Sequence, residues 1–499
     1  MTHKNFLATV DLGSNSFRLL IAKVTDNDTI HPIDQIKETV RLAAGLDHNH
    51  ILTTESQEIA LLALSKFKER LSGFNKNQVR VVATSTLRVA KNSAEFIAKA
   101  NNVLGFNIEV ISGTEEARLI YIGAMHSIAY SQEKRLIIDI GGGSTEFIIG
   151  SGYDPQIMES VTIGCVSFSN RFFVNGELSD NNFNNAILAA RSKIQAMEHL
   201  FAKHDWIEAI GTSGTAKSLY ELCISHGYAD KITLEGLYKL KKQFIKYKNT
   251  SKLDISGLKE DRRPVIVGGA AILIAIMEEL HISEMTIADG ALREGVMYDL
   301  LGRKSENDLR TSTVLTLKDF YSIDLTQAQN VSVATLQMYI NLMGQTKADS
   351  EFLKLLQWAS ELYEVGLCIS HNDYHKHGSY ILDNSDLAGF SKPEQSILAD
   401  LVRTHRGNLL KALESLQSRR KIKLKFLYMV LAFRLSVIFN RNRQGFNSSI
   451  ITIISNSKSS FYISINSEWL KTNTLTLYSL NEEIEQWNKC GITINLIPQ

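Results

Sequence analysis

An internal repeat limits the possible folds of this sequence more than any other feature. Ala8–Ala22 (ATVDLGSNSFRLLIA) and Leu136–Gly150 (LIIDIGGGSTEFIIG) each contain an apolar strand, an aspartate, a glycine-containing turn with a serine, and a second apolar strand. The aligned pairs are Asp11 with Asp139, Gly13 with Gly141, and Ser16 with Ser144. Two β-hairpins of one design predict a duplicated domain.

The segments around the repeat alternate between strand and helix signals. FLATVDLG, RVVAT, FNIEVISG and RLIIDIGGG have strand periodicity, and helical periodicity follows them, as in SQEIALLALSKFKERL. Alternation of this kind predicts an α/β fold whose sheets are covered by helices. We expect one lobe over residues 1–125 and a second over 126–302.

The remainder of the chain reads differently. Helical patterns dominate after the polar stretch Gly302–Ser312, which has the composition of an interdomain linker. The tail contains four segments with the period of half-buried strands: SIITIIS, SFYISI, TLTLYSL and GITINLI. We therefore predict an all-α domain over 303–445 and a small α+β domain over 446–499.

Composition indicates a globular protein without a membrane span. Of the 499 residues, 44% are hydrophobic, and the mean hydropathy is -0.07. The longest apolar run, Val265–Met277, ends well short of the ~20 residues that a bilayer requires. The N-terminus offers no signal peptide, and the four cysteines show no CxxC spacing. We expect a cytoplasmic protein with no integral membrane contact.

The near-neutral net charge of +1 conceals a basic segment between Arg403 and Arg443. It holds eleven basic residues against the single acid Glu414, a net of +10. Such a segment either forms a solvated helical face or attracts a polyanion. The candidate residues of a polyanion path are His375, His377, Arg403, Arg406, Arg419, Arg420, Lys421, Lys423 and Lys425.

The two glycine-containing turns of the repeat suggest phosphate chemistry. Small residues let backbone N–H groups point into a turn and surround phosphate oxygens, and an aspartate at a strand end can bind Mg²⁺ directly or through water. An ordinary tight hairpin is the alternative for either turn alone. The repetition of the design favours a functional role.

Six motifs in the first 300 residues carry a family resemblance: VDLGSNSFR, VVATSTLR, VISGTEEARLIY, DIGGGSTE, GTSGT and ADGALREG. In this order they resemble the exopolyphosphatase and guanosine pentaphosphate phosphatase family, a branch of the actin, sugar-kinase and Hsp70 ATPase superfamily. The helical remainder resembles the long proteobacterial form. The resemblance implies duplicated actin-like (ribonuclease H-like) lobes, an all-α HD-like domain, a small α+β C-terminal domain, and a homodimer.

The resemblance also implies roles for individual residues. Hydrolysis of a phosphoanhydride needs bound phosphates, a metal that offsets charge, and a water with a base. Asp11 and Asp139 would bind Mg²⁺, Glu116 would activate the water, and Glu146 would be a second carboxylate nearby. The expected phosphate-binding residues are Gly13, Ser14, Asn15, Arg88, Gly141, Gly142, Gly143 and Ser144.

Local spacing bears on which glutamate acts as the base. Ser112 and Glu115 fit a capping box, which would occupy Glu115 with its own helix and leave Glu116 facing the cleft. Thr114 as the cap would change that assignment. Alternatively, an acidic residue at a helix N-terminus can act only by stabilising the helix through its macrodipole.

The sequence leaves the substrate open between two family members. Gly143 and Asp289 resemble the exopolyphosphatase pattern, whereas the pentaphosphate phosphatase tends to carry alanine and glycine there. We therefore expect processive hydrolysis of the terminal phosphate of inorganic polyphosphate, with guanosine pentaphosphate hydrolysis as the alternative. An ATP-binding kinase or scaffold is the alternative of another class, and no nucleic acid is expected as a partner.

Two further motifs are rejected. Ala216 stands where a P-loop needs its second glycine, so Gly211–Ser218 is expected to be a structural or phosphate-proximal turn. Tyr363 and Glu364 stand where HD-type phosphohydrolases carry their His-Asp ligand pair. Without that pair, the histidines of the helical domain do not predict a metal centre.

Overall fold

The computed structural model describes residues 5–25, 30–201, 206–302, 308–343, 350–417, 422–446, 450–457 and 459–498. The chain forms two compact units, Met1–Asn307 and Asp308–Gln499.

The first unit contains two sheets with one topology. The first sheet has the order β3-β2-β1-β4-β5, and its strands are β1 (Phe6–Leu12), β2 (Ser16–Val24), β3 (Ile30–Thr39), β4 (Val79–Ala83) and β5 (Ile108–Val110). The second has the order β10-β11-β9-β6-β7-β8, with β6 (Arg135–Ile140), β7 (Thr145–Ser151), β8 (Asp154–Val161), β9 (Glu208–Thr212), β10 (Ile232–Thr233) and β11 (Glu284–Ile287). In each sheet, three consecutive antiparallel strands are followed by two strands that pair in parallel, namely β4 and β5 in the first and β9 and β11 in the second. The second sheet differs by one additional strand, β10, which pairs antiparallel with β11. The predicted duplication is confirmed.

In the described residues of the first unit, ten α-helices pack around these sheets. They are α1 (Thr54–Arg70), α2 (Ser85–Val89), α3 (Ser93–Leu104), α4 (Gly113–Met125), α5 (Cys165–Phe172), α6 (Asp180–Ile194), α7 (Ser213–Ser225), α8 (Leu234–Lys246), α9 (Ile266–Glu279) and α10 (Leu292–Gly302). The apolar run Val265–Met277 forms most of α9 and lies in the core of the second sheet. Within the described ranges, no helix combines the length and apolar character that crossing a bilayer would require.

Helix α4 lies between the two sheets, and α10 packs tightly against it. A Cβ on Gly123 would lie 1.9 Å from the carbonyl oxygen of Ala291, and a Cβ on Gly295 would lie 1.7 Å from that of Leu119. Only glycine therefore permits this backbone contact. Helix α10 also packs on β1, so the end of the predicted 126–302 segment returns to the first sheet.

The second unit is helical apart from one small sheet. Its helices are α11 (Leu309–Phe320), α12 (Leu325–Met343), α13 (Ser350–Glu361), α14 (Tyr374–Asn384), α15 (Lys392–Thr404), α16 (Leu409–Gln417), α17 (Leu424–Phe439), α18 (Ser467–Thr472) and α19 (Thr474–Lys489). The sheet pairs β12 (Ile451–Ser457) antiparallel and β14 (Thr493–Pro498) parallel to the central β13 (Ser460–Ile465). These elements share one apolar core. The fold class, α/β lobes followed by a helical domain with a small α+β end, is confirmed.

Two local predictions need correction. TLTLYSL is the start of α19 and not a strand, because Leu480 and Trp487 are buried seven residues apart while Leu475 is 84% exposed. The expected linker is partly helical, because Asp308 caps α11 through the backbone N–H of Arg310. Residues 303–307 of that stretch lie outside the described residues.

Candidate active site

The two turns of the internal repeat contact each other. A Cβ on Gly142 would lie 2.9 Å from Cβ of Ser14, and a Cβ on Gly143 would lie 3.4 Å from the Ser14 hydroxyl oxygen. A Cβ on Gly143 would also lie 2.6 Å from the hydroxyl oxygen of Ser85, the first residue of α2. Sequence segments more than a hundred positions apart therefore form one site.

Strand register places a charged residue opposite each repeat aspartate. In the first hairpin Asp11 pairs with Arg18, and in the second Asp139 pairs with Glu146. The hairpins therefore share a backbone design but differ in charge. One supplies a cation beside its aspartate and the other supplies a second carboxylate.

Asp11 is a half-buried residue, and one of its carboxylate oxygens is buried without a hydrogen bond among the described residues. Burial raises its pKa to about 6, and the charges of Arg18 and Arg293 oppose that rise. Its Oδ1 atom is buried and has no hydrogen-bond partner among the described residues. A buried acceptor without a partner is costly, which suits an oxygen that receives a ligand.

Asp139 lies at the end of β6 and is 4% exposed. The Ser213 hydroxyl donates a hydrogen bond to its Oδ2 atom at 2.5 Å. Burial raises the pKa of Asp139 to about 6, whereas this hydrogen bond and the charges of Arg18 and Lys217 favour the ionised form. Asp139 is therefore poised to ionise fully when a cation binds.

Glu116 lies in the first turn of α4 and pairs with Arg88. Its Oε2 atom lies 3.1 Å from the Nη1 atom of Arg88, which also donates to the Ile111 carbonyl at 3.0 Å. Burial raises the pKa of Glu116 to about 7, the Arg88 charge lowers it, and the charges of Asp11 and Asp139 raise it. A carboxylate with that pKa can accept a proton near neutral pH.

Glu146 lies beside the same cluster and is 1% exposed. The hydroxyls of Ser144 and Ser160 hydrogen-bond to its carboxylate, the latter at 2.8 Å. Burial raises the pKa of Glu146 well above its usual value, and the charges of Glu116 and Asp139 add to the rise. The surroundings of Glu146 therefore favour its protonated form more than water would.

Ser112 is the cap of α4, as the capping-box spacing predicted. Its hydroxyl accepts from the Glu115 backbone N–H at 3.0 Å. The Glu115 carboxylate, however, forms a two-pronged pair with Arg118, at 2.7 and 2.8 Å. Glu115 and Glu116 thus belong to different charge clusters, and Glu116 belongs to the cluster of Asp11 and Asp139.

The predicted phosphate-binding residues occupy this site, and several already have partners. The Ser14 hydroxyl accepts from Thr86, and the Gly141 N–H donates to the Ser144 carbonyl within its own turn. Arg88, expected to contact phosphate, pairs with Glu116. The remaining members, Gly13, Asn15, Gly142 and Gly143, lie in the same two turns.

Sequence reasoning missed four polar residues of the site: Arg18, Lys217, Arg293 and Ser213. The first three act electrostatically on Asp11 or Asp139. Arg18 lies inside the motif VDLGSNSFR and Arg293 inside the motif ADGALREG. These motifs therefore contained the information needed to predict both arginines as site residues. Lys217 binds the exposed Asp289 carboxylate at 2.9 Å, and Asp289 is the residue used above to favour polyphosphate.

The candidates for the polyanion path lie in the second unit. Lys423 and Lys425 are exposed and His377, Arg403 and Arg406 are half-buried, whereas Arg419, Arg420 and Lys421 lie outside the described residues. His375 does not fit a surface path, because it is 7% exposed and its Nε2 atom lies against Gly407. Burial and the charges of Arg406 and Arg403 lower the pKa of His375 to about 4, so this histidine is neutral at pH 7.

The donor set fits Mg²⁺, although no group of three or more His, Cys, Asp or Glu side chains forms a metal cluster in the parts of the chain that the structure describes. Mg²⁺ is commonly held by one or two carboxylates together with water and substrate phosphates. Asp11, with its unpartnered Oδ1, and Asp139 supply such carboxylates.

Together, the duplicated lobes and the carboxylate cluster define a phosphoanhydride hydrolase with an actin-like fold. Comparison with known proteins agrees. Residues 20–304 match the Ppx/GppA phosphatase family, and residues 309–484 match domain III of the Ppx/GppA phosphatases. The chain belongs to the Ppx/GppA phosphatase family.

Individual relatives span most of the chain. A guanosine-5'-triphosphate,3'-diphosphate pyrophosphatase of Pseudoalteromonas translucida is 39% identical over 492 residues, 98% of this chain and 97% of the relative. A protein of the same name from Vibrio cholerae is 34% identical over 495 residues, with coverage of 98% and 97%. The crystal structure of an exopolyphosphatase from Cytophaga hutchinsonii is 26% identical with a TM-score of 0.54, and covers 59% of this chain and 97% of its own.

Proposed function

We propose that this protein hydrolyses the 5'-terminal phosphate of guanosine pentaphosphate, releasing orthophosphate and guanosine tetraphosphate. The observation that carries the hydrolysis is the buried Glu116, which is paired with Arg88 and shares a charge cluster with Asp11 and Asp139. The choice of substrate rests on relatives that carry the name of this activity over nearly the whole chain. This support favours the sequence-based alternative over the polyphosphate hypothesis.

The chain's own residues would carry the chemistry as follows. A water oxygen forms a bond to the terminal phosphorus, and the bond from that phosphorus to the bridging oxygen breaks. The water proton passes to the Glu116 carboxylate, whose pKa of about 7 lets it act as a base near neutral pH. Arg88 holds the Glu116 side chain in place during this transfer.

The surrounding charges would bind the substrate. Arg18, Arg293 and Lys217 supply positive charge beside the two aspartates. Asp11 and Asp139 would hold Mg²⁺, which offsets the negative charge of the phosphate oxygens. The turns at 13–15 and 141–144 would approach the terminal phosphates through their backbones.

Inorganic polyphosphate remains the second candidate substrate. Gly143 and Asp289 resemble the exopolyphosphatase pattern, and an exopolyphosphatase is among the structural neighbours. The basic segment would give a long anion an additional contact surface. We also expect a cytoplasmic homodimer, an expectation that rests on the family resemblance and on composition.

Phosphate release measured side by side tests the substrate. Guanosine pentaphosphate, long-chain polyphosphate and ATP are compared at equal concentrations of terminal phosphate. The proposal expects the highest kcat/KM with guanosine pentaphosphate. A higher value with polyphosphate would overturn it in favour of the second candidate.

Glu116→Gln tests the base. Because the amide cannot accept the proton, turnover should fall roughly 10²- to 10⁴-fold, while substrate binding persists. Binding of guanosine pentaphosphate is followed by calorimetry and turnover by phosphate release. Near-normal turnover in this variant would exclude Glu116 as the base.

A further inference from the structure

The turn between β9 and α7 contains a serine in a conformation that favours glycine. Ser213, the first residue of α7, has φ of 61°, in the left-handed region. This region is sterically unfavourable for a residue with a Cβ atom, and glycine, which bears no such cost, is the next residue. A serine in this unfavourable conformation suggests that its side chain makes a contact that glycine could not make.

The Ser213 side chain contacts one group of the site. Its hydroxyl donates to Oδ2 of Asp139 at 2.5 Å. Asp139 and the end of β9 are neighbours because β6 and β9 pair in parallel, with Asp139 opposite Thr212. The hydroxyl therefore binds the buried carboxylate from the adjacent strand.

The rest of the turn is held by other contacts. The Thr212 hydroxyl donates to the Gly290 carbonyl at 2.6 Å, and the Thr215 hydroxyl donates to the Ile140 carbonyl at 3.0 Å. A Cβ on Gly214 would lie 1.7 Å from Nη2 of Arg262, so the Arg262 side chain lies directly against this glycine. These contacts maintain the conformation of Ser213.

We infer that Ser213 is a positioning residue for Asp139. Its hydroxyl holds one carboxylate oxygen and so fixes the rotation of the side chain that would bind Mg²⁺. Mutation of a residue that orients a metal ligand typically lowers metal affinity roughly 10- to 100-fold. This inference rests on the proposed role of Asp139 in holding Mg²⁺.

Three substitutions separate the hydroxyl from the backbone conformation. Ser213→Gly removes the hydroxyl and relieves the left-handed backbone, whereas Ser213→Ala removes the hydroxyl alone. Ser213→Thr keeps the hydroxyl, but a β-branched residue is disfavoured at positive φ. Ser225→Ala is the matched control, because it removes a serine hydroxyl at the other end of α7, where that hydroxyl donates to the Leu222 carbonyl.

Two properties of the full-length protein are measured for each variant. The first is the thermal unfolding midpoint without metal, and the second is the Mg²⁺ concentration that gives half of the Mg²⁺-induced rise in that midpoint. Ser213→Gly should be the most stable of the three and Ser213→Thr the least. The Mg²⁺ requirement should rise about 10- to 100-fold in the Gly and Ala variants, yet stay within a few-fold of the wild type in the Thr variant and in Ser225→Ala.

Three results would overturn the inference. The first is an unchanged Mg²⁺ requirement in the Gly and Ala variants. The second is a Mg²⁺ requirement that rises across the three variants as their unfolding midpoint falls. The third is a wild-type midpoint that Mg²⁺ does not raise, which would remove Asp139 as a metal ligand. The proposed hydrolysis is judged separately by Glu116→Gln, so the two failures are distinguishable.

Discussion

At the scale of single residues, the site depends on four carboxylates whose pKa values are raised. Asp11, Asp139, Glu116 and Glu146 share one cluster, and burial is the largest cause of the rise in each case. Nearby positive charges oppose this rise in pKa at some of the carboxylates and not at others. Glu116 has Arg88 as a direct partner, whereas the charges that act on Glu146 raise its pKa.

The pH dependence of turnover follows from Glu116. The base must be ionised, so kcat/KM should fall as the pH drops below about 7 and level off above it. Arg88→Gln removes the charge that lowers the pKa of Glu116, so the decline in kcat/KM should move to higher pH. At a fixed pH below the pKa, kcat/KM should be about tenfold lower for each unit by which the pKa rises.

An exposed arginine of α1 provides the control for that experiment. Arg70→Gln removes a charge whose side chain is 62% exposed and should leave the pH profile in place. The profiles of both variants are recorded with guanosine pentaphosphate. An Arg88→Gln profile that coincides with the wild type would contradict the assignment of Glu116 as the titrating base.

Asp139→Asn should stabilise the metal-free protein at alkaline pH. The pKa of Asp139 is raised from 3.8 to about 6, so its contribution to stability is present below pH 4 and is lost as the pH rises through 6. The asparagine lacks this penalty, and the gain in unfolding free energy at pH 8 should be about 1–3 kcal/mol.

Denaturant unfolding at pH 4 and pH 8, with and without Mg²⁺, checks this sign. The advantage of Asp139→Asn should shrink towards pH 4. Mg²⁺ should stabilise the wild type and have little effect on the variant. A variant less stable than the wild type at pH 8 without metal would show that the carboxylate is not penalised by burial.

At the scale of elements, α4 connects the candidate base to the interior of the first unit. Its first turn carries Glu116, and farther along it Gly123 lies against the backbone of Ala291. A buried charge network fixes the same helix, because Arg118 pairs with both Glu115 and Asp299. The position of the base therefore depends on how α4 and α10 pack.

Gly123→Ala tests that dependence. Its Cβ would lie 1.9 Å from the Ala291 carbonyl oxygen, so α10 must move, at a cost of about 1–3 kcal/mol. Displacement of Glu116 should lower kcat roughly 10- to 100-fold at temperatures where the variant stays folded.

The matched control for that substitution is Gly236→Ala on α8. There an added Cβ meets no atom closer than 3.2 Å, and alanine is the better helix former. Unfolding midpoints and kcat are measured for both variants. Wild-type turnover in Gly123→Ala would show that the helix contact does not position the base.

At the scale of the whole molecule, the two compact units divide the chemistry from the basic segment. All four carboxylates of the cluster lie in Met1–Asn307, and Arg403–Arg443 lies in Asp308–Gln499. The exopolyphosphatase of Cytophaga hutchinsonii, which is shorter than this protein, covers 59% of this chain.

Neutralising the basic segment tests its part in substrate choice. The variant carries five substitutions: Arg419→Gln, Arg420→Gln, Lys421→Gln, Lys423→Gln and Lys425→Gln. It should bind long-chain polyphosphate more weakly and with less salt dependence, because fewer counterions are released on binding. Turnover of guanosine pentaphosphate should stay near the wild-type value. Equal losses for both substrates would show that the segment serves the fold and not a polyanion path.

The sequence alone determined the features that are local along the chain. The repeat predicted both hairpins and their turn aspartates, and the helical periods predicted the second unit. Periodicity and turn composition report on near neighbours, because they reflect the burial of one face of one element. TLTLYSL shows the limit, since alternation over seven residues suits an amphipathic helix start as well as a strand.

Tertiary structure decided the contacts between distant segments. The pairing of Arg88 with Glu116, the approach of Ser213 to Asp139 and the contact of α10 with α4 each join residues from different elements. No periodic signal encodes such contacts, because they depend on how strands pair and helices pack. The same holds for the raised pKa values, since burial by the whole fold is their largest cause.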